Sequence, residues 1–210
     1  MPDFTFEDRL PPLTAGIDEA GRGPWAGPVV AGAAVFLTRD IDAFLLENLN
    51  DSKKISAKKR EVLYEKLLEA RDKGQMLIGI GQASAEEIDR LNILQATFLA
   101  MRRAVEKLPQ KPAYAIVDGN QKPQNFPCEC MTLVKGDARS YSVAAASIAA
   151  KVFRDRLMKE LAGRYPYYGF EKNAGYGTKA HIDGLAGHGI INGVHRLSYR
   201  PIQEFLRRAA

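Results

Sequence analysis

The stretch from Thr14 to Phe36 constrains the fold of this chain more than any other segment. It reads TAGIDEAGRGPWAGPVVAGAAVF, which is an apolar run, two adjacent acids, a turn rich in glycine and proline, and a second apolar run. We predict a strand over residues 13–17, which Asp18 and Glu19 interrupt. A tight turn then leads into a buried strand over residues 29–37. Two carboxylates where a strand meets a glycine-rich turn indicate either a metal site or an ordinary surface turn.

The rest of the chain alternates short apolar runs with segments of helical spacing, which is typical of an α/β domain. Ser84 followed by Glu87 has the spacing of a capping box and predicts the start of a short helix. Three further strands are expected to complete a mixed five-stranded sheet, with helices packed on it. These strands cover residues 76–83, 114–117 and 131–134, and the other predicted helices cover residues 57–73, 92–108, 140–164, 178–187 and 201–208.

Composition narrows the class of protein. The chain has 210 residues, of which 46% are hydrophobic and 26% charged, as in a folded protein with one substantial core. We take residues 1–210 as one domain whose portion from about residue 165 is helical. The 30 Lys and Arg against 25 Asp and Glu give a net charge of +5, which is compatible with a polyanionic partner without requiring one.

The sequence carries no sign of export or of membrane insertion. Its first residues, MPDFTFEDRL, are acidic and lack the basic start and apolar run of a secretory signal. No apolar run approaches the length of a membrane span. We therefore expect a cytoplasmic monomer that does not associate with membranes. Cys128 and Cys130 are too few for a structural zinc site and too close for a comfortable disulfide, so we expect reduced thiols.

Carboxylates lie at three predicted strand ends. Asp18 and Glu19 follow the first strand, Asp118 ends the fourth, and Asp137 lies just beyond the fifth. Because no His or Cys cluster accompanies them, ligation by oxygen favours Mg²⁺ or Mn²⁺. Two such ions about 4 Å apart can activate a water and stabilise the leaving oxygen of a phosphodiester. Together the four acids favour a metal-dependent nuclease, whereas Asp137 alone fits a helix cap better.

A different motif overlaps the turn. Residues 21–26, GRGPWA, satisfy the G-x-G-x-x-A pattern of a dinucleotide-binding loop. That motif requires a helix directly after the glycines, whereas Pro24 and Pro28 lead into the strand pattern VVAGAAVF. The dinucleotide-binding interpretation is therefore rejected. The glycines instead suit a close approach of the backbone to a ligand.

Several segments together carry a resemblance to a known family: GIDEAGRGPWAGPVV, LNDSKKIS, IVDGN, VKGD with AAASIAAKVFRD, and GYGTKAH with HRLSY. The chain resembles ribonuclease HII over nearly its whole length. The resemblance implies a ribonuclease-H-like fold and a metal-dependent endonuclease of DNA replication and repair. Its partners would be RNA/DNA hybrids and duplex DNA with single embedded ribonucleotides. Cleavage on the 5′ side of the ribonucleotide would leave 3′-hydroxyl and 5′-phosphate ends.

The resemblance implies specific roles for the acids. The family's four catalytic acids, which hold its two metal ions, fall on Asp18, Glu19, Asp118 and Asp137. These are the same four residues that the strand ends indicate. The related ribonuclease HIII carries a lysine in the glycine turn and an extra N-terminal domain, so the GRG turn favours HII.

The resemblance also implies how substrate is recognised. The family's GRG motif falls on Gly21, Arg22 and Gly23, whose backbone groups would recognise the ribose 2′-hydroxyl that separates RNA from DNA. Its substrate-sensing tyrosine falls on Tyr176, whose ring would check that the next sugar is DNA. Without the resemblance, a loop aromatic that covers the core is the preferred interpretation of this tyrosine. Lys53, within NDSKK, is a candidate for a phosphate contact.

Other polar residues stay open between two interpretations. Asp155 lies too far along a helix from the other acids to share their metals and is expected to pair with Lys151 or an arginine. Ser147 and Lys151 line the substrate groove, or the serine simply packs close to the sheet. His181 and His195 are interpreted as structural or phosphate-side groups.

A second functional class is a non-catalytic nucleic-acid-binding domain of the same fold. It predicts salt-sensitive binding without turnover. Four gathered acids argue against it, because binding a polyanion gives no reason to concentrate negative charge.

Overall fold

One mixed sheet organises the chain, and the computed structural model describes residues 1–209 of it. Its strands are Thr14–Ala20 (β1), Val29–Phe36 (β2), Met76–Ala83 (β3), Tyr114–Asp118 (β4) and Glu129–Leu133 (β5). They lie in the order β3-β2-β1-β4-β5. The first three are antiparallel neighbours, whereas β4 and β5 run parallel to β1. The predicted mixed five-stranded sheet is confirmed.

The helices begin where the sequence signals predict. Ser56 accepts a hydrogen bond from the N–H of Lys59, and Ser84 and Glu87 form a capping box. Short 3₁₀ turns cover Glu7–Arg9, Ser52–Lys54, Gly136–Ala138 and Pro166–Tyr168. The α-helices are Ala43–Asn48 (α1), Ala57–Asp72 (α2), Ala85–Leu91 (α3), Ile93–Glu106 (α4), Tyr141–Arg164 (α5), Phe170–Asn173 (α6), Lys179–His188 (α7) and Arg200–Ala209 (α8).

Helices α4 and α5 cover opposite faces of the sheet. Helix α4 packs with the odd-numbered apolar residues of β2, and α5 joins α2 and the even-numbered ones in a second core. The small residues at the start of α5 allow a close approach. A Cβ atom on Gly16 would overlap the backbone of Ser142, and one on Gly32 would overlap the carbonyl of Ala146. The prediction that this helix approaches the sheet closely is confirmed.

Strand β1 continues further than the sequence predicts. Asp18 and Glu19 lie inside it, paired with Gly32 and Ala31 of β2, and the strand ends only at Ala20. The prediction that the acids interrupt the strand is therefore wrong. Asp and Glu have a low intrinsic preference for strands, but hydrogen bonding to β2 keeps both residues in β1.

Beyond residue 165 the chain forms α6, α7 and α8, which have a core of their own. Phe170, Leu185, Val194 and Ile202 pack there with Ala26 of the glycine turn, along with other apolar side chains. No helix within the described part of the chain is both long and apolar enough to cross a membrane. Cys128 and Cys130 are free thiols, as predicted.

Candidate active site

The sheet brings three strand ends together. Strands β1 and β4 are parallel neighbours in register at Ile17 and Val117, so Asp18 and Asp118 are the next residues of adjacent strands. Strand β5 lies on the other side of β4, and its following turn carries Asp137. One oxygen of Asp118 accepts a hydrogen bond from the N–H of Gly136 at 2.7 Å, which ties this turn to β4.

The four acids approach the site from different directions. Side chains alternate along a strand, so Asp18 faces α5 while Glu19 starts on the α4 side of β1. Asp18 and Asp137 are buried, whereas the side chain of Glu19 is 16% exposed and lies 3.4 Å from Arg22. Asp118 interacts with the whole group, because its charge raises the pKa of each of the other three acids.

The group concentrates negative charge that nearby cations compensate only in part. Burial, followed by the charges of Glu19 and Asp118, raises the pKa of Asp18 well above its usual value. Burial also raises the pKa of Glu19, although Arg22 opposes the shift. The pKa of Asp137 is raised to about 6, first by burial and then by the neighbouring charges of Asp51 and Asp118.

Lys53 is a cation close enough to the acids to interact with their charges. It is the middle residue of the 3₁₀ turn that follows Asp51, and the carboxylate of Asp51 accepts a hydrogen bond from its backbone N–H at 2.9 Å. Burial lowers the pKa of the Lys53 ammonium. Four nearby carboxylates nevertheless raise it above its usual value, namely those of Asp18, Asp51, Asp137 and Asp118. Lys53 therefore partly neutralises the carboxylates.

The donor set fits a hard divalent cation, although it is not drawn together into a finished site. Within residues 1–209, no three His, Cys, Asp or Glu side chains stand close enough to hold a metal ion as they are. Carboxylates gathered in this way repel one another, so a bound cation would stabilise the group. The oxygen atoms of these acids are the ligands that Mg²⁺ and Mn²⁺ prefer.

The glycine turn and the tyrosine share a cavity with two of the acids. The cavity has a volume of about 280 Å³. The side chain of Tyr176 is 51% exposed and lies against Gly23, because a Cβ atom on that glycine would be 3.4 Å from the ring. An aromatic residue that covers the core would not be so exposed. The lining residues are Asp18, Glu19, Ala20, Gly21, Arg22, Gly23, Ser52, Lys53, Lys151, Arg154 and Tyr176.

Other polar residues named from the sequence have structural contacts. Asp155 pairs with Lys151 at 2.6 Å and lies 3.7 Å from Arg60, so the predicted ion pair is confirmed. Ser147 is buried and donates a hydrogen bond to Ser52, as expected of a serine that packs close to the sheet. Lys151 lines the cavity. His181 and His195 are buried in the helical portion, where their rings contact those of Tyr168 and Phe170.

Comparison with known proteins agrees with the family resemblance found in the sequence. A family model described as ribonuclease HII matches residues 15–201. The chain belongs to the ribonuclease HII family. The ribonuclease HII of a Wolbachia species from Brugia malayi is 50% identical over 208 residues, which are 99% of this chain and 98% of that protein.

Solved structures show the same fold. Ribonuclease H2 from Pyrococcus horikoshii matches with a TM-score of 0.72 and 27% identity, over 93% of this chain and 97% of that one. Bst ribonuclease HIII, solved with Mn²⁺, matches in fold with a TM-score of 0.74 at 19% identity, over 100% of this chain and 74% of that one. The predicted ribonuclease-H-like fold is confirmed, and the chain is a ribonuclease H enzyme, an endonuclease for RNA paired with DNA.

Sequence reasoning about this ribonuclease HII family member missed two features of the site. Asp51 lies close enough to Asp137 to raise its pKa, although its position in LNDSKKIS does not mark it as a member of the site. Its position two residues before Lys53 is the feature of the sequence that could have identified it. Arg154 lines the cavity although the sequence places it in the middle of a helix, where nothing distinguishes it from its neighbours.

Proposed function

We propose that the enzyme hydrolyses the RNA strand of RNA/DNA hybrids and cuts duplex DNA on the 5′ side of a single ribonucleotide, leaving 3′-hydroxyl and 5′-phosphate ends. The observation that carries this proposal is adjacency. The charge of Asp118 raises the pKa of Asp18, Glu19 and Asp137. The first two of these acids line one cavity together with the glycine turn and Tyr176. A group that cuts and a group that senses ribose would then lie side by side.

In this proposal Asp18, Glu19, Asp118 and Asp137 hold two Mg²⁺ or Mn²⁺ ions. Such ions, when bound, would lower the pKa of an attacking water and stabilise the leaving oxygen. The chain's own contacts prepare two of the ligands. One oxygen of Asp118 is held by the N–H of Gly136, and one oxygen of Asp18 by the N–H of Glu19 at 2.7 Å. These bonds fix the orientation of both carboxylates.

Ribose recognition is assigned to the backbone of Gly21, Arg22 and Gly23. Within residues 1–209, none of their three N–H groups donates a hydrogen bond to a protein acceptor. A 2′-hydroxyl can accept such a bond, whereas a deoxyribose has nothing to offer in its place. Tyr176 beside Gly23 would pack on the adjoining sugar, and a deoxyribose would fit closest to its ring.

Cations complete the proposed substrate site. The side chain of Arg22 is 49% exposed, and Lys53 lines the same cavity, so both can approach a phosphate. We also propose that residues 1–210 act as one catalytic domain in a monomer.

The non-catalytic alternative gains nothing from the geometry. A protein that only binds a polyanion would not bury Asp18 and Asp137 next to Asp118, since their charges oppose binding. These buried charges are instead what a cation-dependent reaction requires.

Cleavage of a DNA duplex that contains one ribonucleotide tests the proposal. The wild-type enzyme is expected to cut it with Mg²⁺ or Mn²⁺ and not after chelation. Asp118→Asn keeps the size of the side chain and an acceptor for Gly136, but it should lower the rate by about a thousandfold, or about 4 kcal/mol. Asp72→Asn, at an exposed site in α2, is the matched control. Cleavage without metal, or an unchanged rate for Asp118→Asn, would overturn the mechanism.

A further inference from the structure

Two buried arginines form no ion pair with an acid within residues 1–209. Arg154 of α5 is 1% exposed and Arg196, before α8, is fully buried. All of the hydrogen bonds that their guanidinium groups donate go to backbone carbonyls or a tyrosine hydroxyl. A buried cation is costly unless it is well bonded, so these contacts have to be close to complete.

Arg196 forms hydrogen bonds with both the start and the end of the glycine turn. Its Nη2 donates to the carbonyl of Gly21 at 2.6 Å, its Nη1 to that of Arg22 at 2.9 Å, and its Nε to that of Gly27 at 3.0 Å. The hydroxyl of Tyr199 accepts a bond from the same Nη1 and itself donates to the carbonyl of Arg22. Four of the five guanidinium N–H groups are thereby occupied.

Arg154 holds the rest of the turn and connects it to the tyrosine loop. Its Nε donates to the carbonyl of Pro28 at 2.9 Å and its Nη2 to that of Ala26 at 3.1 Å. Its Nη1 donates to the carbonyl of Ala174 at 3.0 Å, two residues before Tyr176. Together the two arginines bind five of the eight carbonyls between residues 21 and 28.

The turn is shaped around these side chains. Gly21 has a φ of +95°, and a Cβ atom on it would overlap the guanidinium of Arg154. Only glycine fits both constraints without strain. The first glycine of the GRG motif therefore accommodates an arginine from α5.

Holding the carbonyls also fixes the N–H groups. In a planar trans peptide the C=O of one residue and the N–H of the next point in opposite directions. With the carbonyls of Gly21 and Arg22 turned toward Arg196, the N–H groups of Arg22 and Gly23 must point away from it. These are two of the three N–H groups that have no acceptor within the described chain.

We propose that Arg154 and Arg196 are positioning residues for ribose recognition: they turn the carbonyls of the glycine turn inward so that the N–H groups of Arg22 and Gly23 face the 2′-hydroxyl. The inference rests on the proposed function, because it explains how the same turn would sense ribose. Through Ala174, Arg154 also keeps the tyrosine loop in register with that turn.

A binding comparison tests the proposal. The affinities of two duplexes of one sequence, one with a single ribonucleotide and one all DNA, are measured by fluorescence anisotropy at fixed salt. Every protein carries Asp118→Asn to prevent cleavage. Arg196→Lys keeps the positive charge but cannot span three carbonyls. We expect it to lower the preference for the ribonucleotide duplex by about tenfold, while the affinity for the DNA duplex stays unchanged.

Matched controls and a milder variant complete the design. Arg156→Lys on α5 and Arg200→Lys on α8 change exposed arginines and should leave the preference unchanged. Tyr199→Phe removes only the hydroxyl between Arg196 and Arg22, and it should lower the preference about threefold while lowering the melting temperature by only a few degrees. This variant decides the question if Arg196→Lys does not fold.

The possible outcomes separate the two proposals. A folded Arg196→Lys or Tyr199→Phe protein with the wild-type preference would overturn the positioning role. Equal losses of affinity for both duplexes would also overturn it, because they indicate a general structural effect. If the protein that carries Asp118→Asn alone shows no preference for the ribonucleotide duplex, ribose sensing by the turn fails, and the positioning role fails with it.

Discussion

Asp18 lies inside a strand and is only 7% exposed, where an ionised carboxylate is normally avoided. Its one hydrogen bond from the backbone comes from the N–H of Glu19, its own neighbour. The position is therefore unfavourable for the charged form, which is why the pKa of this acid is raised by burial first and by its acidic neighbours second. In the proposed mechanism a bound cation would stabilise the ionised carboxylate. The unfavourable position of Asp18 in the free protein is then explained by its role as a ligand.

Tyr176 gives a prediction at the same scale. Because half of its side chain is exposed beside Gly23, Tyr176→Ala should leave the melting temperature within about 1 °C of wild type while lowering the preference for an RNA–DNA junction over a continuous hybrid about tenfold. Cleavage rates on the two substrates measure this ratio. Tyr167→Ala removes another exposed ring, stacked on His188, and is the control. An equal loss of rate on both substrates would mean that Tyr176 only supports the fold.

Single residues differ in how visible they are in the sequence. The four acids can be found because carboxylates at strand ends form a local pattern that the sheet then gathers. Arg196 cannot be found in this way, since its partner Arg22 lies 174 positions earlier in the chain. Its contacts are also to backbone carbonyls, which every residue has. No side-chain type in the sequence indicates them.

The contact between α5 and the sheet determines the geometry at the scale of elements. Residues of α5 reach β1 and β2 through Gly16 and Gly32, where no side chain separates the backbones. This close approach places Ser147 of α5 next to Ser52, and so holds the 3₁₀ turn of Lys53 beside the acids.

Substitution of Gly32 tests this packing. A Cβ atom there would overlap the carbonyl of Ala146, so Gly32→Ala should lower the free energy of unfolding by about 1–3 kcal/mol or more. Gly163→Ala is the matched control in α5. Nothing lies within 4 Å of its added Cβ, and alanine is the better helix former, so it should raise stability by up to about 1 kcal/mol. Urea unfolding measures both. Equal stability of the two variants would contradict the close packing.

Element boundaries show where sequence reasoning stops. Helix starts at Ser56 and Ser84 were predictable because the capping interactions are local. The end of β1 was not, because Asp18 and Glu19 have low strand preference and are kept in the strand by pairing with β2, which begins several residues later in the chain.

At the scale of the whole molecule, a pair of buried histidines connects the helical portion to the tyrosine loop. His195 accepts a bond from the N–H of Ile191 at 2.8 Å through Nδ1, so its proton is on Nε2. That nitrogen lies 3.0 Å from Nε2 of His181, whose Nδ1 donates to the carbonyl of Tyr176 at 3.0 Å. Both rings are neutral in this arrangement. The sequence leaves a structural and a phosphate-side role open, and it cannot show that the two side chains meet.

The histidine pair predicts how stability depends on pH. Burial, and then the nearby His181, lowers the pKa of His195 to about 4, whereas the unfolded chain binds this proton near pH 6.5. The unfolded state therefore binds more protons between these values, and the stabilising contribution, complete above pH 6.5, is lost as the pH falls toward 4. The loss is at most about 1.4 kcal/mol per pH unit for this group.

Urea unfolding of wild type and His195→Gln at pH 7.5 and pH 5 isolates this contribution. The carboxylates titrate in both proteins, so only the difference between the two pH dependences is informative. We expect the variant to lose less stability than wild type on acidification. Identical losses in the two proteins would show that His195 is not held neutral in the fold.

The adjacency of cutting and ribose sensing is the central claim, and mapping the cut tests it most directly. A duplex with one ribonucleotide and a label on the 5′ end of that strand is digested, and the product is compared with markers. Cleavage by an activated water should give a fragment that ends in a 3′-hydroxyl on the deoxynucleotide before the ribonucleotide. A fragment that retains the ribonucleotide with a 2′,3′-cyclic phosphate would contradict the account, because the 2′-hydroxyl would then be the nucleophile and not the group that the glycine turn recognises.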